Sequence, residues 1–340
     1  MLMAKTCRLL ASCAMLYLSL TICCAVVWGQ GMGPETYGLV ADMAMGTPAS
    51  SRILAMGGQL SCLTDRQFSN PAFAGVEMQP SAGLRYNNTG LERGPSVTSI
   101  LGSYFHPLRS GEDGLQLTIL TMSGDGGDLA LPGVGAVNTD IMSNAWVVDY
   151  GRRIAPKATV GLSILGNERV GLRFTPPVGP TLFNLEATAS YGARLGVAYE
   201  WQPGDFLGLL WNASREKVTT SGPLASAPGN AHVDSTQIAI GTSYHFTPQL
   251  LCALEYQRGR INTGSVVGTS HEWHAGAEYQ APGGWALRAG VSDHSPTFGA
   301  SYTKGRWRAD YTFINDWKHT AVNDLFGGSD THSLQLTCGW

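Results

Sequence analysis

From about residue 80 to the C-terminus, apolar side chains recur at every second position. That period belongs to a β-strand with two unlike faces, since a helix would repeat every 3.6 residues. Between Tyr191 and Trp201 one face carries Tyr191, Ala193, Leu195, Val197, Tyr199 and Trp201. The other carries Gly192, Arg194, Gly196, Ala198 and Glu200. The same alternation returns at 237–246, 273–280, 285–292 and 307–313, and Tyr or Trp stands at the ends of the apolar rows. Tyr191 and Trp201 lie ten residues apart. At roughly 3.3 Å per residue and a tilt of about 40°, their rings sit about 25 Å apart along a membrane normal. This is the separation of the two aromatic girdles of a transmembrane β-barrel, and a soluble sandwich has no reason to reproduce it on an outward face.

Charged residues make up 14% of the chain, against about 25% in ordinary soluble domains. There are 43 glycines, nine Trp and twelve Tyr, and the mean hydropathy is −0.02. Strands that alternate apolar and small or polar residues average to such a value without any long apolar run. The exception is the N-terminus. There Lys5 and Arg8 precede an apolar stretch from Leu9 to about Trp28, and small residues near Val27-Trp28-Gly29 offer a cleavage site. Residues 1–29 therefore read as a signal peptide, and the mature chain is expected in the bacterial outer membrane. A net charge of −3 gives no reason to expect a nucleic-acid partner. Of seven cysteines, Cys62, Cys252 and Cys338 remain after cleavage. Their wide spacing makes neither a metal motif nor a disulfide framework.

The segments between strands alternate in length. Short ones at 154–157, 202–205, 247–249, 281–284 and 304–306 carry Pro or Gly. Longer polar ones are expected at 123–142, 166–184, 216–231, 259–270 and 316–330. Short turns alternating with long loops are the mark of an up-and-down antiparallel barrel. The expected fold is thus all-β, with about 14 strands and 12 or 16 left open. Residues 80–340 form the expected barrel, and residues 30–79 precede it. The last strand places Leu334, Leu336, Cys338 and the terminal Trp340 on one face. Leu336 and Trp340 are candidates for the signal read by the barrel-assembly machinery.

The cost of facing lipid assigns the rows. An Arg or Lys near the bilayer midplane costs about 2–4 kcal/mol, so the aromatic-tipped rows should face lipid and the others the lumen. The lumen would then hold Arg194, Glu200, His245, Glu255, His274, Glu278, Arg288, Arg308 and Asp310, with Gln237 among them. With both signs present, these groups either pair and stiffen the barrel or line a solute path. No enzymatic activity, cofactor or metal is expected. Asp293-His294-Ser295 are adjacent at a strand end, whereas a catalytic triad converges from separate positions. His271 and His274 fall on opposite faces. Ser123–Asp128 lacks the ligand set of a calcium loop.

The stretch Arg52-Ile53-Leu54-Ala55-Met56-Gly57-Gly58, followed by Asn70-Pro71-Ala72-Phe73-Ala74-Gly75, resembles the N-terminal signature of the FadL and PorV-type barrels. The tail agrees in Trp285–Gly290, Phe298–Tyr302, Asp310–Phe313 and His332–Leu334. The resemblance implies passage of hydrophobic or small solutes through an outer-membrane barrel. The alternative is a PorV-type structural or secretion-associated barrel that binds other surface proteins. It also implies that residues 30–79 are a short N-terminal luminal or periplasmic segment, a hatch in which Met56, Gly57, Gly58, Asn70 and Pro71 act. There Gly57-Gly58 would allow positive φ or close packing, and Asn70-Pro71 a turn into the first strand. The implied partners are outer-membrane lipid, the assembly machinery, and a hydrophobic small molecule or a secreted surface protein.

Overall fold

The computed structural model describes residues 49–340, apart from Arg66, Phe68, 93–95, 109–110, 125–127, 132–134, 224–228, 264–266 and 316–327. The expected signal peptide and the first part of the 30–79 segment lie outside the described residues, as does part of the 123–128 stretch.

Fifteen strands follow one another: β1 Ser81–Leu91, β2 Ser96–Leu108, β3 Asp113–Gly124, β4 Asp128–Leu131, β5 Gly135–Ala155, β6 Ala158–Thr175, β7 Phe183–Gln202, β8 Asp205–Ser221, β9 Gly229–Thr247, β10 Leu250–Asn262, β11 Val267–Ala281, β12 Trp285–Ser292, β13 Ser295–Lys304, β14 Trp307–Asn315 and β15 Ser329–Gly339. Each pairs antiparallel with its chain neighbours, except that β3 and β4 do not pair with each other but both lie along β5. β1 pairs with β15, and β3 pairs with β5 directly, so the sheet closes on itself. β4 continues the line of β3 along β5: the register Gly124↔Ile141 resumes at Asp128↔Asn138. The result is a closed 14-strand up-and-down barrel, in which no edge remains to be satisfied by lipid.

The wall sorts its side chains by polarity. Leu84, Leu195, Leu209, Ile240, Leu287, Phe298 and Leu336 all point outward and are exposed. Tyr191, Tyr199, Trp273, Trp285, Trp307 and Trp340 are exposed on the same surface. Such a contiguous apolar exterior is far larger than soluble monomers tolerate, and it fits a hydrocarbon surround. No helix among the described residues is long and apolar enough to cross a membrane.

The wall is uneven in height. β12 has 8 residues and β14 has 9, whereas β5 has 21 and β7 has 20. Twenty residues rise roughly 50 Å at such a tilt, about twice the apolar band of an outer-membrane barrel. β5 to β9 therefore project past the membrane at the end opposite the short turns. Here the expectation of long loops fails at 123–142 and 166–184, and likewise at 216–231 and 259–270, where 216–221, 229–231, 259–262 and 267–270 are strand. Most residues of the first two stretches are strand, paired from Asn138↔Thr175 to Asn144↔Arg169 and from Phe174↔Phe183 to Arg169↔Thr188. What holds this extension is an inward apolar cluster of Val137, Ile141, Val170, Leu172, Phe174, Phe183, Leu185, Ala187, Val218 and Val233. At its base, bulges between Asn144 and Trp146 and between Ala189 and Tyr191 shift the register. The residues of β6 and β7 that face inward change parity across them.

Candidate functional site

The glycine-bearing inner face of the barrel receives the chain's own N-terminal segment. α1 (Ser51–Ala55) is capped by the Ser50 side chain and packs on β12 to β15. It is anchored through polar groups of the wall: Ser51 N donates to Gln335 Oε1 at 2.7 Å, Thr312 Oγ1 to Ser51 O at 2.7 Å and Thr297 Oγ1 to Ala55 O at 2.9 Å. Met56 then runs along Gly276 and Gly290, which face each other in register, and a Cβ at either would overlap the Met56 backbone. Gly57 and Gly58 follow with φ of +96° and +84°. A side chain at Gly57 would also strike the carbonyl oxygens of Val291 and Ala275. Only residues without Cβ let the two backbones approach this closely.

Asn70 does not turn the chain directly into β1. It caps a 3-10 helix, Pro71–Gly75, accepting from Ala72 N at 3.0 Å and donating to Ser61 O at 2.8 Å. Pro71 occupies the first turn, where its missing N–H costs nothing. This helix lies against Gly151 and Gly161 of the wall. Phe73 is fully buried, edge-on to Phe206 with centroids 5.2 Å apart.

Charge completes the docking. Arg52 binds both oxygens of Glu278 at 2.7 Å. Glu278 also accepts from Arg288 at 2.5 Å, Arg288 donates to Asp310 at 3.0 Å, Arg308 to Asp310 at 2.7 Å, and Arg308 to Asp65 at 2.6 Å. Three guanidiniums and three carboxylates thus alternate in one chain that begins and ends on the N-terminal segment and crosses β11, β12 and β14 between. Burial pushes the Asp65 carboxyl up, but Arg308 and Arg52 beside it outweigh that and hold it below its ordinary value. Glu255 makes a separate anchor: it accepts from Leu60 N at 2.9 Å and Ser61 N at 2.6 Å, and from the Ser61 hydroxyl.

Above this segment lies a cavity of about 110 Å3. Its apolar lining includes Leu54, Leu60, Leu165, Leu210 and Ile314, and Arg194, Glu216, Glu272 and His274 supply its ionisable rim. His274 Nδ1 meets Gly57 O at 2.7 Å. Among the described residues, three buried atoms of lining residues, His274 Nε2, Asn212 Oδ1 and Ser69 Oγ, have no hydrogen-bond partner.

Of the nine lumen residues expected from the sequence, Glu278, Arg288, Arg308 and Asp310 belong to the charge chain, Glu255 anchors Leu60 and Ser61, and Arg194 and His274 border the cavity. Glu200 and His245 are not brought to it. They sit at the short-turn rim, where Glu200 accepts from Gly204 N at 2.9 Å and His245 pairs with Asp205 at 2.6 Å. Leu336 and Trp340 are exposed on the outer wall, and Trp340 N donates to Pro80 O at 3.1 Å. Asp293 and His294 form the tight turn between β12 and β13, with Asp293 at φ 54°. His271 points outward to Tyr256 and His274 inward.

Three solved structures align along nearly their whole length. The toluene transporter TbuX of Ralstonia pickettii is 16% identical, with 86% of this chain and 98% of that chain covered at a TM-score of 0.58. The toluene transporter TodX of Pseudomonas putida is 13% identical, with 86% and 97% covered at 0.56. A FadL homologue of Pseudomonas aeruginosa is 12% identical, with 84% and 96% covered at 0.53. The fold is that of the FadL-type outer-membrane transporters. No protein-family model and no curated protein matches the sequence.

Arg52 and Asp65 close the two ends of the charge chain, and the sequence assigned neither of them a partner. Their partners lie over two hundred positions away, on β11 and β14. The one available signal was an excess of ionisable residues on inward rows, which needed counter-charges from elsewhere.

Proposed function

We propose that the protein is an outer-membrane channel for small hydrophobic solutes, exported with residues 1–29 as a cleaved signal and inserted by the barrel-assembly machinery through its Leu336–Trp340 strand. In this reading residues 30–79 are a hatch, and solute enters from the side of the projecting β5–β9 wall. The observation that carries it is the cavity lined by Leu54, Leu60, Leu210 and Ile314 directly over the N-terminal segment, with the inward apolar cluster of β5 to β9 beyond it. A dry apolar cavity of about 150 Å3 takes up benzene, so a cavity of 110 Å3 is on the scale of a small solute. Most of the lumen charges are matched against each other, which leaves the cavity walls mainly apolar. Arg194, His274 and Asn212 supply the polar contacts that orient a solute. The relatives of known structure named as toluene transporters support the choice of an aromatic hydrocarbon as the first substrate to test.

The test is uptake of radiolabelled toluene by proteoliposomes. Protein-containing vesicles take it up faster than empty ones. Ser214→Trp, which fills the cavity from β8, lowers the increment at least about tenfold while the barrel still migrates as folded. Equal uptake with and without protein contradicts the proposal.

A further inference from the structure

The outer face of the projecting wall carries a charge pattern that solute passage does not use. Outward positions on β5 to β10, beyond the apolar belt, present Arg169, Arg173, Arg215, Lys217, Arg258 and Arg260. Against them, among the residues whose side chains are described, stand the outward carboxylates Asp140, Glu186 and Asp234, three fewer than the cations. Only Arg215 is in an ion pair among the described residues, with Asp234 at 2.6 Å. On β1–β3 and β11–β15, no outward position at the same end carries Arg or Lys among the described residues. Among the described residues the basic face therefore lies on one side of the barrel.

Its height is set by the aromatic belt. Arg258 and Arg260 follow Tyr256 on the outward row of β10, and Arg215 and Lys217 follow Trp211 on that of β8. Each outward step rises about 5 Å along the normal. Arg258 and Arg260 thus stand about 5 and 10 Å beyond the ring that marks the edge of the hydrocarbon, and the headgroup layer is about 5–7 Å thick. Arg169, Thr188, Lys217 and His232 are in successive register across β6 to β9, so the cations reach sideways as well as upward. The face is continuous with the apolar belt below it.

We propose that this face binds the phosphate headgroups of an anionic glycolipid in the outer leaflet, its acyl chains lying on the apolar belt. The inference goes beyond solute transport and rests on the proposed outer-membrane placement with the projecting wall outermost. Guanidiniums suit it because their planar fork matches phosphate oxygens in pairs.

The experiment compares full mature protein in phosphatidylcholine bilayers carrying a bisphosphorylated glycolipid with the same bilayers carrying the dephosphorylated glycolipid. Lipid retained after transfer to detergent is counted by native mass spectrometry. The wild type retains the phosphorylated form at least about tenfold better. Lys217→Gln/Arg258→Gln/Arg260→Gln loses that preference, each cation near an anionic surface being worth roughly fivefold. Lys304→Gln/Arg306→Gln, at the opposite rim, keeps it. Equal retention of the two glycolipids by the wild type overturns the proposal without reference to any variant. So does displacement by inorganic phosphate as effective as by the lipid, which would mark a site for free anions. Because solute uptake is not part of the readout, failure here leaves the transport reading standing, and the reverse.

Discussion

Glu278 accepts from two guanidiniums at once, one on the N-terminal segment and one on the wall, and it is nearly inaccessible to solvent. Removing its charge leaves Arg52 and Arg288 buried with one anion too few, a situation that costs about 3–5 kcal/mol when a buried pair is broken. Glu278→Gln should therefore loosen the segment while the barrel, held by its ladder of strands, persists. Amide exchange at residues 51–65 reads this directly, and unchanged protection would mean the ion chain contributes nothing to docking. The acid limit follows from Asp65. Its folded pKa lies below the unfolded value of about 3.9, so its contribution is complete above that value and is lost only as pH falls through the lower folded one. Protection of the segment should be flat from neutral pH to about pH 5 and decline below about pH 4; a decline centred near pH 6 would implicate a different group.

At the scale of elements, the N-terminal segment and the glycine track fit as backbone to backbone. Gly276→Val places a branched side chain where the Met56 carbonyl lies. The variant should still fold as a barrel and still shift on heating in a gel, but a protease acting from the short-turn side should cleave within 49–65. Resistance equal to wild type would show that the track is not what seats the segment. The strands were legible because a membrane wall has one apolar face, so period two was written into Tyr191–Trp201 and Trp285–Val291. The extension of β5 to β7 was hidden by an inversion of that rule. Beyond the bilayer the outside meets water and the inside is apolar, so Asp140 and Arg173 face out while Ile141 and Leu172 face in. Bulges at the crossover break the register of the pattern as well, which made the sequence look like loop. The docking of Asn70 on Gly196 and of Ser61 on Gly208 joins distant positions that no local period connects.

For the whole molecule, one face of each of the fourteen wall strands meets hydrocarbon, and the lumen is filled at one end by the chain's own N-terminal segment. Strand β8 offers the most direct test, since Leu207, Leu209 and Trp211 are outward and exposed while Leu210 is buried within. Single spin labels placed in turn from residue 207 to 214 in a cysteine-free background, in which Cys62, Cys252 and Cys338 are replaced, can be read in a bilayer for collision with oxygen and with a water-soluble nickel chelate. A period of two is expected, with oxygen access high at 207, 209 and 211 and low at 208, 210 and 212. Uniform access to the nickel chelate along the strand, with no alternation, would contradict it.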